Sequence, residues 1–162
     1  MFVLIATLLV ATVAFAPARV LADPLTPSQI ANVQQMATAY YRAAVSGDAM
    51  TFAKVTTPHY QVIGVNGQPV SQAALAGALA KLNLNASRIE GHVTVDSASA
   101  TAGVVTANVT VHGTAYQTAG GAPGVTGGSK MSSISKHVLT FVKSPSGNWL
   151  VQKDVVLKAS RG

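Results

Sequence analysis

The chain has 162 residues, 49% hydrophobic and 10% charged, which suits a single domain around one core. Its net charge of +6 is scattered: Lys54, Lys81, Arg88, Lys130, Lys136, Lys143, Lys153 and Lys158 are never adjacent, and only nine aromatic residues accompany them (four Tyr, four Phe, one Trp). A nucleic-acid footprint needs cations gathered beside stacking rings, so none is expected, and the absence of cysteine excludes disulfide and thiolate chemistry.

Residues 1–22 read as a secretory signal peptide. An apolar run from Phe2 to Ala16 is closed by Pro17 and Arg19, and Val20-Leu21-Ala22 places small residues before Asp23, as a signal-peptidase site requires. The run is shorter than the roughly 20 residues of a spanning helix, so no stable membrane insertion is expected after cleavage. No Lys or Arg precedes the run, which departs from the usual basic start. The expected mature protein is residues 23–162, exported to the periplasm or secreted. Without Arg19 its ten cations outnumber its five carboxylates by five.

The mature chain opens with a helix in "LTPSQIANVQQMATAYYRAAVSGD". Thr26 is suited to cap it, Pro27 to the first helical position and Gly47 to its end. Ile30, Val33, Ala37, Tyr40, Tyr41, Ala44 and Val45 recur at helical steps and predict a core-facing stripe. Asp48 is placed to cap a short second helix, "AMTFAKV", with Met50, Phe52 and Val55 inward. A strand is expected after Pro58, in "HYQVIGVNGQPVS", turning at Asn66-Gly67. Ser71 then caps a third predicted helix, "QAALAGALAKL".

Beyond Asn85 the period changes to two. "RIEGHVTVDSAS" sets Ile89, Val93 and Val95 against Glu90, His92, Thr94 and Asp96. "GVVTANVTVHGTAYQT" sets Val105, Val109 and Val111 against Thr106, Asn108, Thr110, His112 and Tyr116. A Gly-rich stretch around 117–133 reads as a long hairpin loop. Two more strands, "ISKHVLTFVKS" and "NWLVQKDVVLKA", flank the tight turn "PSGN". Helices followed by a four-strand meander predict an α+β fold with helices on one face of an antiparallel sheet.

A helix ending in "SGD", a helical turn, a strand ending in "NG", a helix and four long strands closing on "GNWLVQ" resemble the nuclear transport factor 2-like (NTF2-like) superfamily, and within it the SnoaL-like and DUF4440-type members. The resemblance spans residues 26–158 and rests on element order with Gly47, Asp48, Gly67, Gly147 and Trp149. It implies a strongly curved antiparallel sheet wrapped around the first helix as a cone with one open pocket. It also implies a homodimer through the outer sheet surface. Members of the superfamily include ketosteroid isomerases, dehydratases, epoxide hydrolases and proteins that only bind ligands or peptides.

In such a cone the pocket residues would be Tyr40, Tyr41, His59, Tyr60, His137 and Trp149, although Tyr41 and Trp149 also suit the core. A ketosteroid isomerase-like member needs a carboxylate on the first strand, where this chain has Ile63, Gly64 and Val65. That absence favours a non-catalytic protein binding a small apolar molecule or a protein partner, with no cofactor. The alternative is proton transfer or dehydration by His137 with Asp154, on neighbouring predicted strands. The four histidines lie at 59, 92, 112 and 137, outside any metal-ligand spacing, and a facing pair of His92 and His112 would point to solvent. The "GGAPGVTGG" run is neither a Walker pattern nor a strand-to-helix turn, so no phosphate cradle is expected.

Overall fold

The computed structural model describes residues 23–47, 49–71, 74–75, 86–117 and 130–161. The expected signal peptide, the capping role of Asp48, most of the third helix and the middle of the Gly-rich loop lie outside the described residues. The third helix is represented by Ala74 and Leu75, where the Ala74 amide donates to the Ser71 side chain at 3.1 Å, as its capping role requires.

Helix α1 covers Pro27–Ser46. Thr26 and Gln29 form a reciprocal capping box, and Gly47 closes the helix in the left-handed region at φ 67°. Val33, Ala37, Tyr40 and Ala43 form its buried stripe. Ile30, expected in that stripe, is 40% exposed; burial starts only at the second turn. Helix α2 covers Ala49–Val55, with Phe52 and Val55 against the core. Met50, also expected inward, is 74% exposed. At 3.6 residues per turn it lies across the helix from Phe52, and so short a helix can bury only one side.

Among the described residues seven strands form one sheet in the order β1-β4-β5-β6-β7-β2-β3, numbered along the chain. β1 (Asp23–Pro24) and β3 (Pro69–Val70) are two-residue strands the sequence did not announce. The long members are β4 (Ala86–Thr101), β5 (Val104–Gln117), β6 (Lys130–Lys143) and β7 (Trp149–Arg161), an antiparallel meander. Part of the segment read as loop is therefore strand, from Lys130 to Ser133.

β2 (Thr56–Ile63) departs from expectation twice. It begins before Pro58, and it runs parallel to β7, so the sheet is not wholly antiparallel. Pro58 is tolerated because the pairing shifts register between Thr56 and Gln61, where a missing N–H donor costs no ladder bond. The parallel direction follows from connection: β2 reaches β7 by a long crossover rather than a hairpin.

The turns obey local chemistry. Gly67 and Gly147 have positive φ (75° and 85°), and their amides donate to Gly64 O and Ser144 O at 2.9 Å. Between β4 and β5 only Ala102 and Gly103 turn the chain, at φ 49° and 78°, as in a type I′ hairpin. An alanine there carries Cβ strain that asparagine tolerates better. Ala102→Asn should raise the unfolding free energy by about 1 kcal/mol, read by urea denaturation.

Register shifts at Val95/Ser97, Lys136/His137 and Thr140/Phe141 are bulges, and they bend the sheet about α1. Val33, Ala37 and Tyr40 of the helix meet Val93, Val105, Ala107, Val109, Leu139, Phe141 and Val151 on the concave face. Gln34 reinforces the docking. Its side chain donates to Val93 O at 2.5 Å and accepts from the Val95 amide at 2.8 Å, filling the edge of β4 that short β1 leaves open.

Candidate functional site

His137 of β6 and Asp154 of β7 are the buried polar pair of the concave face, 8% and 4% exposed. The register sets His137 opposite Val156 and Leu139 opposite Asp154, so the two are diagonal neighbours pointing the same way. His137 Nδ1 lies 2.8 Å from Asp154 Oδ1. A carboxylate only accepts, so in the neutral ring Nδ1 carries the proton and Nε2 keeps its lone pair. Nε2 in turn lies 2.8 Å from Ser135 Oγ, which donates to it.

On the helix side Tyr40 donates to Asp154 Oδ2 at 2.9 Å. Its single proton is thereby used, so the Tyr60 hydroxyl, also bonded to Tyr40, is the donor of that second contact. One chain of hydrogen bonds thus runs Tyr60–Tyr40–Asp154–His137–Ser135. Tyr41 packs edge-on against the His137 ring, with centroids 5.2 Å apart at 76°. Among the described residues its buried hydroxyl makes no hydrogen bond of ordinary geometry, although it lies close enough to Asp154 to feel the carboxylate.

Burial, reinforced by the Asp154 charge, pushes the phenols of Tyr40 and Tyr41 well above their ordinary value of 10.0. Burial raises Tyr60 too; its hydrogen bond with Tyr40 pulls the other way without cancelling that rise. These groups hold their protons more tightly folded than unfolded, so their stabilisation is complete below the unfolded value and is lost as pH climbs above it. Alkaline titration should show these three tyrosines ionising only with loss of the fold, with stability falling above about pH 10. Absorbance of phenolate followed alongside circular dichroism checks this, the two transitions coinciding.

Beyond His137 the large core side chains give way to valines, small residues and, at the far margin, Arg161. The next cross-strand row is Val93–Val111–Ser135–Ala159, and the one after it Gly91–Gly113–Ser133–Arg161. Gly91 is exposed, and a Cβ added there would meet nothing within 4 Å. Among the described residues nothing covers Gly91, whereas Ser133 Oγ lies over Gly113, 2.9 Å from where a Cβ would stand; glycines, hydroxyls and the exposed Arg161 line this end, with the His137 ring behind them.

The structure brings together Tyr40, Tyr41, Tyr60, His137 and Asp154 from the residues singled out in the sequence. It leaves two aside. His59 is exposed on β2, on the side opposite Tyr60 and Val62. Trp149 starts β7, facing Lys143 far along the strand from Val156; it packs on the core edge with the Lys143 ammonium 5.3 Å from its ring centroid. Sequence reasoning missed Ser135, whose signal was its two-residue spacing from His137 on one strand face. His92 and His112 are direct register partners and both exposed. Among the described residues no three His, Asp or Glu side chains gather as metal ligands, and no helix is long and apolar enough to cross a membrane.

No protein-family model matches the chain, and no curated protein is similar to it. Solved structures are similar in fold. A conserved protein of Planctomyces limnophilus aligns with TM-score 0.64 at 12% identity, over 80% of this chain and 95% of that one. A ketosteroid isomerase-like protein of Erwinia carotovora gives 0.59 at 15% identity, over 84% and 98%. A dehydratase candidate of the NTF2-like family from Streptomyces avermitilis gives 0.61 at 17% identity, over 85% and 99%. With α1 cradled by a bent sheet and these structures aligned over most of the chain, the fold is that of NTF2-like proteins.

Proposed function

We propose that this protein is an exported NTF2-like enzyme, working as a homodimer, that moves a proton on a small and largely apolar carbonyl compound, by enolisation or dehydration. The observation that carries the reading is the 2.8 Å contact between His137 Nδ1 and Asp154 Oδ1. It leaves Nε2 as the base facing the open end of the cone, and Asp154 stabilises the imidazolium formed when Nε2 takes a proton. The substrate's reacting C–H would replace Ser135 as the partner of Nε2. A ketosteroid isomerase-like carboxylate on β2 remains missing: Ile63 ends that strand, and Gly64 bonds to Gln68 in the turn.

A non-catalytic binding protein is the second reading, and one observation favours it. Both Asp154 oxygens and both His137 nitrogens already have partners, as in a structural network that only fixes the core. Native mass spectrometry of protein taken from its own envelope or secreted fraction would report the processed terminus, the subunit number and any retained small molecule. That molecule, incubated in heavy water with the protein, should gain deuterium beside its carbonyl or lose water. Retention with no exchange above the buffer rate would leave binding alone.

A further inference from the structure

The geometry points to Ser135 as an activated nucleophile, so that the open end of the cone carries an acyl-transfer activity toward small esters. This rests on the reading of His137 Nε2 as a base but asks it to act on an oxygen rather than on a substrate carbon. Ser135 Oγ, His137 Nε2, His137 Nδ1 and Asp154 Oδ1 stand in the order serine–imidazole–carboxylate, with 2.8 Å at each of the two hydrogen bonds. The polarity is the productive one. The carboxylate takes the Nδ1 proton, so Nε2 can take the proton of Ser135.

Tyr40 fixes the other carboxylate oxygen, which holds the ring's partner in place without loading Nε2. Ser135 is half-buried and lies at the margin of the open end, whereas His137 is buried behind it, so an entering ester meets the hydroxyl first. In the adjoining row, Gly91–Gly113–Ser133–Arg161, Gly91 is uncovered among the described residues, and Ser133 and the exposed Arg161 put a hydroxyl and a cation one row from Ser135, the side on which charge would develop on the carbonyl oxygen.

In the step, Ser135 Oγ bonds to the ester carbonyl carbon while its proton passes to Nε2. As the tetrahedral adduct collapses the ester C–O bond breaks, and the leaving alcohol takes that proton from Nε2. Water, giving a proton to Nε2, then attacks the acyl-serine and releases the acid, with the proton returned to Ser135. The sum is ester plus water to acid plus alcohol, with no oxidant, reductant or cofactor.

The first probe is a fluorophosphonate, which loses fluoride when an activated serine attacks its phosphorus, read by intact mass and peptide mapping. The expected result is one adduct at Ser135, absent in Ser135→Ala and slowed about a hundredfold or more in His137→Gln. The second probe exploits the lack of cysteine in the natural chain. Ser135→Cys introduces a single thiol which, beside His137, should be alkylated by iodoacetamide at a pH well below that of an ordinary thiol. Adding His137→Gln should restore the ordinary profile. No adduct on the folded wild-type protein, an adduct that survives Ser135→Ala, or an ordinary pH profile for Ser135→Cys would each overturn the proposal. Deuterium exchange persisting in a protein that resists the fluorophosphonate would remove the nucleophile and leave the proton-transfer reading standing; loss of both would remove the site.

Discussion

Asp154→Ala should lower the unfolding free energy by about 3–5 kcal/mol, among the largest effects of any single substitution in this chain. The carboxylate is 4% exposed and joins β7 to both β6 and α1 through His137 and Tyr40. Truncation strands a buried imidazole N–H and a buried phenol, each losing its acceptor where water does not replace it. Asp154→Asn separates charge from shape: the amide oxygen can still accept one bond, while its NH2 opposes the other donor. The loss should then fall to about 1–3 kcal/mol. Tyr40→Phe deletes the donor to Asp154 and the acceptor of the Tyr60 hydroxyl but spares the Asp154–His137 contact, at about 1–3 kcal/mol. Urea denaturation of the three variants gives the ranking. Equal losses for Asp154→Ala and Tyr40→Phe would mean that the Asp154–His137 contact adds nothing to stability.

The second large effect is on chemistry. On the proposed proton-transfer reading, His137→Gln should cut deuterium exchange on the retained molecule by about 10²–10⁴-fold, the usual contribution of a positioned base, while retaining most of the binding. In rate terms that is about 3–5 kcal/mol of barrier. Glutamine can preserve a hydrogen bond toward Asp154 but has no basic nitrogen, so the loss appears in kcat more than in KM. Native mass spectrometry of the variant with the retained molecule tests the binding half. A variant that still exchanges at the wild-type rate would place the base elsewhere.

The sequence carried the frame of this molecule because its punctuation is local. Thr26, Pro27, Gly47, Gly67 and Gly147 each act on the chain within a few residues, and all stand where they were expected. The alternation of β4 and β5 was legible for the same reason, down to the facing of His92 and His112. What escaped depends on distance along the chain. The parallel pairing of β2 with β7 joins residues some ninety positions apart, and no periodicity reports direction. Ile30 and Met50 have helical spacing suited to a core, but the neighbours that would cover them do not reach that far.

The site divides along the same line. Tyr40, Tyr41, Tyr60, His137 and Asp154 could be named from their placement on elements. The sequence could not fix the register that makes His137 and Asp154 diagonal, because the bulges at Lys136/His137 and Thr140/Phe141 shift it by amounts no residue type declares. Ser135 was overlooked because a serine in a strand is ordinary until its neighbour is known to be a base.

Gln34 has a consequence for how the protein fails. Its amide acts as a surrogate strand along β4, occupying hydrogen-bonding groups that another polypeptide would readily seize. A lesion that merely loosens α1 therefore unmasks an adhesive border before the rest of the sheet has melted. Weakened variants should leave solution as self-templated β-rich assemblies rather than lingering as unfolded monomers.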